Sequence, residues 1–200
     1  MVDDVTVSKP PPWSQTEPHI CLSLTKLKKD CTSPDVYKKV FGGITLQHQN
    51  YVQIFTDGSK VEEKVAAAAV SSVATNSTFS CRLRDYCLIY TAELQALLFA
   101  FKQAYQSQES KFMIFFDSLS ALQALEKLNS NYPLLIQMKD MLHKFEVDQK
   151  ESAFMWVPGH IGSRGNEAAN KAAKEALEKE PIDDLIPFSD LKPLTAKYIH

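Results

Sequence analysis

Residues 51–60 read YVQIFTDGSK, in which Val52, Ile54 and Phe55 make an apolar, strand-like run that stops at an Asp-Gly pair. The pattern predicts a strand ending at Asp57. A second run, KFMIFFD at 111–117, is continuously apolar and again closes on an acid. That is the signature of a central strand buried on both faces, with its last residue emerging at the sheet edge. Open α/β sheets commonly bind ligands at such strand ends, so Asp57 and Asp117 are expected to be exposed and aimed.

Working outward, VAAAAVSSV at 65–73 is ambiguous, because an alanine run favours helix while the flanking valines and the turn-like ATNS that follows favour a strand. With TFSCRLRDY at 78–86 next to it, a hairpin is preferred. AELQALLFAFKQAY at 92–105 puts Leu94, Leu97, Leu98, Phe101 and Tyr105 on one helical face. Thr91 is the expected N-cap, and Glu93 then lies in the first turn. After Asp117, Ser118 can cap a helix over LSALQALEKL, and NSNYP separates it from a second helix over PLLIQMKDMLHKF with Pro133 in the first turn. SAFMWVP at 152–158 predicts a strand, GHIGSRG at 159–165 a loop, and NEAANKAAKEALEK at 166–179 a helix supported by charged pairs. The order βββαβααβα makes a mixed α/β layer fold, without internal repeats.

Two hundred residues, 44% hydrophobic and 23% charged, suit one domain with a well-filled core. Residues 1–47, which include SKPPPWSQTEP, are expected to be a linker or arm and partly irregular; the domain spans 48–180, and 181–200 form a tail. The net charge of −2 gives no global sign of nucleic-acid affinity. Cys21, Cys31, Cys81 and Cys87 have neither CxxC spacing nor adjacent histidine pairs, which argues against a zinc site or disulfide framework. The chain shows no secretory signal and no apolar run of membrane-spanning length, so a soluble, cytoplasmic or nuclear protein is expected, with no membrane partner.

Singly, Asp57-Gly58 reads as a turn, Asp117-Ser118 as a helix cap, and Glu93 as a favourable charge near a helix start. Together they offer three hard oxygen donors, suited to Mg²⁺ or Mn²⁺. Two such ions a few ångströms apart would support in-line displacement at a phosphodiester.

Jointly the motifs resemble a known family. TDGS at 56–59, TAEL at 91–94, FFDSLSAL at 115–122 and WVPGHIGSRGNEAAN at 156–170 are similar, in order and approximate spacing, to type 1 ribonuclease H domains, over about two thirds of the chain. The wording FTDGSK, DSLSALQAL and WVPGHIGSRGNE is closer still to the ribonuclease H domains of non-LTR retrotransposon polyproteins. LSLTKLKK at 22–29 and IPFSDLKPL at 186–194 look like the segments that flank the domain there. The resemblance implies a ribonuclease H-like fold, with a mixed five-stranded sheet, its first three strands antiparallel, and helices on both faces. It implies endonucleolytic hydrolysis of the RNA strand of RNA/DNA hybrids with two Mg²⁺ ions, or Mn²⁺ in their place. Asp57 would bridge both ions, Glu93 and Asp117 would each bind one, and Glu93 would also face the ribose 2'-OH. Gly58, Ser59 and Ser118 would lie at the substrate backbone. His160, in the Gly-rich loop, would assist water activation or product departure. Trp156 is expected to be core or to support that loop, and Lys171 and Lys174 to lie on a solvated helix face.

The sequence departs from the family pattern at two places. The last motif normally reads GNExAD, and here GNEAAN puts Asn170 where the fourth acid belongs. An amide still offers a carbonyl oxygen, but one negative charge is lost, which predicts impaired or strongly Mn²⁺-dependent activity. Glu167, one turn earlier, is a substitute to weigh. The alternative reading is a catalytically decayed, retroelement-derived nucleic-acid-binding domain. Residues 133–151 also mix Lys139, Lys144 and Lys150 with Asp140, Glu146 and Asp148, so they lack the basic handle of some cellular members. An attached or separate reverse transcriptase domain is therefore expected to deliver the hybrid. A transposase or integrase of the same broad fold would lack both Glu93 and His160.

Overall fold

The computed structural model describes residues 16–27, 32–72, 77–127, 130–159, 163–183, 187 and 189–191. Six strands, β1 (His19–Cys21), β2 (Val52–Val61), β3 (Lys64–Ser71), β4 (Thr78–Arg82), β5 (Lys111–Phe116) and β6 (Glu151–Trp156), form one mixed sheet in the order β1-β6-β5-β2-β3-β4. β2, β3 and β4 are antiparallel, while β2, β5, β6 and β1 run parallel. Among the described residues, five α-helices accompany them: α1 (Pro34–Gln47), α2 (Ile89–Gln106), α3 (Leu119–Glu126), α4 (Pro133–Val147) and α5 (Arg164–Ala176).

Side chains that alternate along the strands divide the core into two layers, as the two-residue period of a strand requires. Ile54, Phe112, Ile114, Phe116 and Phe154 face α2, α3 and α4, where they meet Leu97, Phe101, Leu122 and Phe145. Phe55, Met113, Phe115, Met155 and Ala153 face the other way, toward Tyr37, Phe41 and Ile44 of α1 and Ala169 of α5. Each of the fully buried phenylalanines contributes about 1.5–3 kcal/mol by leaving water, so these runs hold the sheet together. The apolar stretch at 111–117 is buried throughout because it is central and covered on both faces.

The expected hairpin is present, and the alanine run forms β3. Ala66, Ala67, Ala68 and Ala69 are fully buried. Small side chains there let α2 and α5 approach the sheet closely, and this packing overrides the helical preference of alanine.

Five expectations need correction. The sheet has six strands rather than five, because His19–Cys21 pairs in parallel with Ala153–Met155 at the sheet edge. The segment expected as an arm thus supplies β1, α1 and a helical turn at Ser23–Lys26, and Leu24 and Tyr37 are buried under β5 and β6. β2 does not end at Asp57 but continues to Val61, since β3 keeps pairing with it after β5 has stopped. α2 begins at Ile89, two residues before Thr91 and four before Glu93, and its N-cap position Leu88 makes no side-chain cap. The last helix starts at Arg164, inside the expected loop.

Candidate active site

The parallel register of β2 and β5 builds the site. Phe55 pairs with Phe115, so the same register two residues on brings Asp57 level with Asp117. At that point β5 has ended and β2 has not, which opens the sheet beside Asp57. Thr56 donates its hydroxyl to the Phe115 carbonyl, fastening the strands where the ladder stops.

Glu93 arrives from α2. Close packing of that helix depends on Gly58, because a Cβ there would lie 3.1 Å from the Ala92 Cβ and 3.1 Å from the Glu93 nitrogen. One carboxylate oxygen each from Asp57, Glu93 and Asp117 lies within 4.8 Å of the others. The three acids that the sequence motifs single out thus converge from two adjacent strands and one helix.

The electrostatics match a crowded, partly dry cluster of like charges. Burial, and secondarily the charge on Asp117, raises the Asp57 carboxyl to about 7, with Lys174 opposing the rise. Burial, then the charges of Asp117 and Asp57, raises Glu93 to about 9. Without a counter-ion the cluster holds protons near neutrality, because ionising all three acids in this environment is unfavourable. Three converging oxygens that resist full ionisation alone fit a hard divalent cation, whose charge would relieve the repulsion.

Other expected site residues have varied settings. Ser118 caps α3, its hydroxyl accepting from the Ala121 amide at 3.3 Å. Ser59 is buried within β2, and Gly58 sits against α2. Asn170 is half-buried on α5, one turn before Lys174. Glu167 is exposed. His160 lies outside the described residues.

Several supporting residues were not expected in these roles. Trp156 donates its indole N–H to the Asp117 carbonyl at 2.9 Å, so it supports the acid's own backbone. A Cβ on Gly159 would lie 3.0 Å from Asp117 Oδ2, so glycine leaves that oxygen room. Lys174, read as solvated surface, acts on Asp57 electrostatically. The glycine-rich stretch GHIGSRG at 159–165 carried a signal for Gly159; nothing in the local pattern marks Lys174.

The RNase H family model matches residues 49–178, more than half of the chain, and spans all three acids and Asn170. No curated protein matches the chain.

Proposed function

The chain belongs to the RNase H family, and we propose that it is a metal-dependent endonuclease that hydrolyses the RNA strand of RNA/DNA hybrids. The observation that carries the reading is the convergence of Asp57, Glu93 and Asp117 within a ribonuclease H-type hydrolase domain. These three would hold Mg²⁺, or Mn²⁺ in its place, with Asn170 lending a carbonyl oxygen. A pair of such ions supplies an activated water and stabilisation of the leaving oxygen in an in-line displacement.

The chain's own residues prepare that chemistry. Asp57 and Asp117 come from the sheet, whose packed core fixes their spacing, and Glu93 comes from a helix seated on Gly58. Rigid elements hold such a constellation better than loops do. Trp156 holds the Asp117 backbone. His160 has a side chain suited to proton exchange near neutrality and is proposed to take or give a proton as product leaves. Gly58, Ser59 and Ser118 are proposed to lie along the substrate backbone.

Hybrid delivery is proposed to come from a reverse transcriptase domain, attached or separate, as in a retrotransposon polyprotein. Few cations of α4 and its neighbours are free to grip phosphates. Lys144 pairs with Asp140 at 2.6 Å, and Lys150 donates to the carbonyls of Ala104, Tyr105, Ser107 and Glu109. Tethering would raise the local concentration of a substrate that the isolated domain binds weakly.

Asn170 favours a second reading, a decayed domain that binds nucleic acid without cutting it. Incubation of labelled RNA/DNA hybrid, duplex RNA, duplex DNA and single-stranded RNA with the protein and Mg²⁺ or Mn²⁺ separates the two. Cleavage of the RNA strand in the hybrid alone is expected. Binding without cleavage in either metal supports the second reading instead.

A further inference from the structure

We propose that Asp190 is a positioning residue for Glu93, holding the first turn of α2 from a segment beyond the family match; this rests on the function proposed above. The match ends at residue 178. Past it, Ile182 donates its amide to the Arg82 carbonyl at 2.9 Å, Pro181 bridges Arg82, and Arg84 pairs with Asp183. These contacts set residues 181–183 against the end of β4 and the residues just after it.

Asp190 is almost fully buried, at 1% exposure. Its Oδ2 accepts the Leu88 amide at 2.9 Å and the Thr91 hydroxyl at 2.5 Å, while Ser189 donates to its Oδ1 at 3.1 Å. The Thr91 hydroxyl also meets the Tyr132 hydroxyl at 2.6 Å, which links the cap to the start of α4. α2 has no side-chain cap of its own at Leu88. A buried carboxylate at a helix N-terminus satisfies orphan amides and complements the helix dipole. This bond to the amide of Leu88, the N-cap residue itself, comes from about a hundred residues away and does what the glutamate of a capping box usually does.

Position makes this cap functional. Thr91 precedes Glu93 by two residues, and Ala92 and Glu93 rest directly on Gly58, next to Asp57. A shift of this turn moves Glu93 relative to both aspartates, and misplacement by about 1 Å can cost on the order of 10²-fold in rate.

The test uses the full chain carrying Asp190→Ala, Asp190→Asn or Thr91→Val, with folding checked by circular dichroism. Calorimetric titration of Mn²⁺ into the free protein gives the metal requirement, and hybrid cleavage gives kcat and KM. Asp190→Ala should raise the half-saturating Mn²⁺ roughly tenfold, the low end for an outer-shell partner, and lower kcat with KM for hybrid unchanged. Asp190→Asn should recover most of the loss, because both bonds of α2 go to one oxygen. A folded Asp190→Ala protein with wild-type metal requirement and kcat overturns the proposal. If that variant does not fold, Thr91→Val must show the same shift in metal requirement, and its absence is equally fatal. Should wild type neither bind metal nor cut hybrid, the nuclease reading fails by itself. Hydrogen exchange of amides 88–93 then decides the cap: faster exchange in whichever variant folds upholds it, and unchanged exchange overturns it.

Discussion

Asp57, within β2, and Asp117, just past the end of β5, each stand two residues beyond the paired Phe55 and Phe115 of these adjacent parallel strands. Burial first, and their repulsion second, raise the Asp57 carboxyl to about 7. Replacing Asp57 by Asn removes that repulsion and the unfavourable burial of a charge. In chelator at pH 8, Asp57→Asn is expected to melt a few degrees above wild type and to cleave no hybrid when metal is restored. Equal or lower melting temperature at pH 8 speaks against an uncompensated cluster.

The same shifts set a pH dependence. Asp57 and Glu93 have folded values of about 7 and about 9, above their ordinary values of 3.8 and 4.5. Between the ordinary and folded values the native state holds protons that the unfolded chain has released, so stability falls as pH rises through that window. As far as these two groups decide, metal-free protein is therefore expected to melt highest below about pH 4 and progressively lower from there up to pH 9. Saturating Mg²⁺ should flatten the decline above pH 7. Thermal denaturation across pH with and without chelator measures it, and a metal-free profile that rises from pH 6 to 9 runs against the account.

On the proposed reading, Asn170 takes one negative charge from a site where the resembled family pattern has an acid. Asn170→Asp is expected to raise Mg²⁺-dependent cleavage by about tenfold or more, which corresponds to about 1.4 kcal/mol of barrier. The gain in Mn²⁺ should be smaller. Equal rates for wild type and variant in Mg²⁺ remove Asn170 as a weak point.

Two glycines test packing separately from chemistry. A Cβ at Gly165 would lie 2.2–2.5 Å from ring atoms of Phe55, which is itself stacked on Phe115. Gly165→Ala should cost about 1–3 kcal/mol of stability by overpacking. Gly58→Ala makes milder contacts of 3.1–3.2 Å, but with the backbone beneath Glu93. Its cleavage rate should drop by about tenfold or more while its melting temperature falls less than that of Gly165→Ala. Melting and cleavage assays on both proteins provide the check, and the opposite ranking contradicts it.

The three acids were legible because each follows a strong local pattern. Two close hydrophobic runs, and the third sits on an amphipathic helix. The length of β2 was not legible, since Asp-Gly signals a turn locally while β3 continues to pair with residues 57–61. β1 was hidden because a three-residue edge strand carries no periodicity, and its pairing with β6 is a long-range choice. Thr91 looked like a cap because the cap actually used, Asp190, lies in a segment with no local relation to α2. Local patterns mark the three converging acids; the groups that hold them in place depend on tertiary contacts.

The central claim is that Asp57, Glu93 and Asp117 form a divalent-metal centre. Calorimetric titration of Mn²⁺ into wild type and into Asp57→Asn, both in metal-stripped buffer near pH 7.5, tests it most directly. The account predicts saturable binding to wild type with release of protons, since binding must displace those held by the raised carboxyls, and at least about tenfold weaker binding to the variant. Absence of binding to wild type, or equal binding by both proteins, would contradict it.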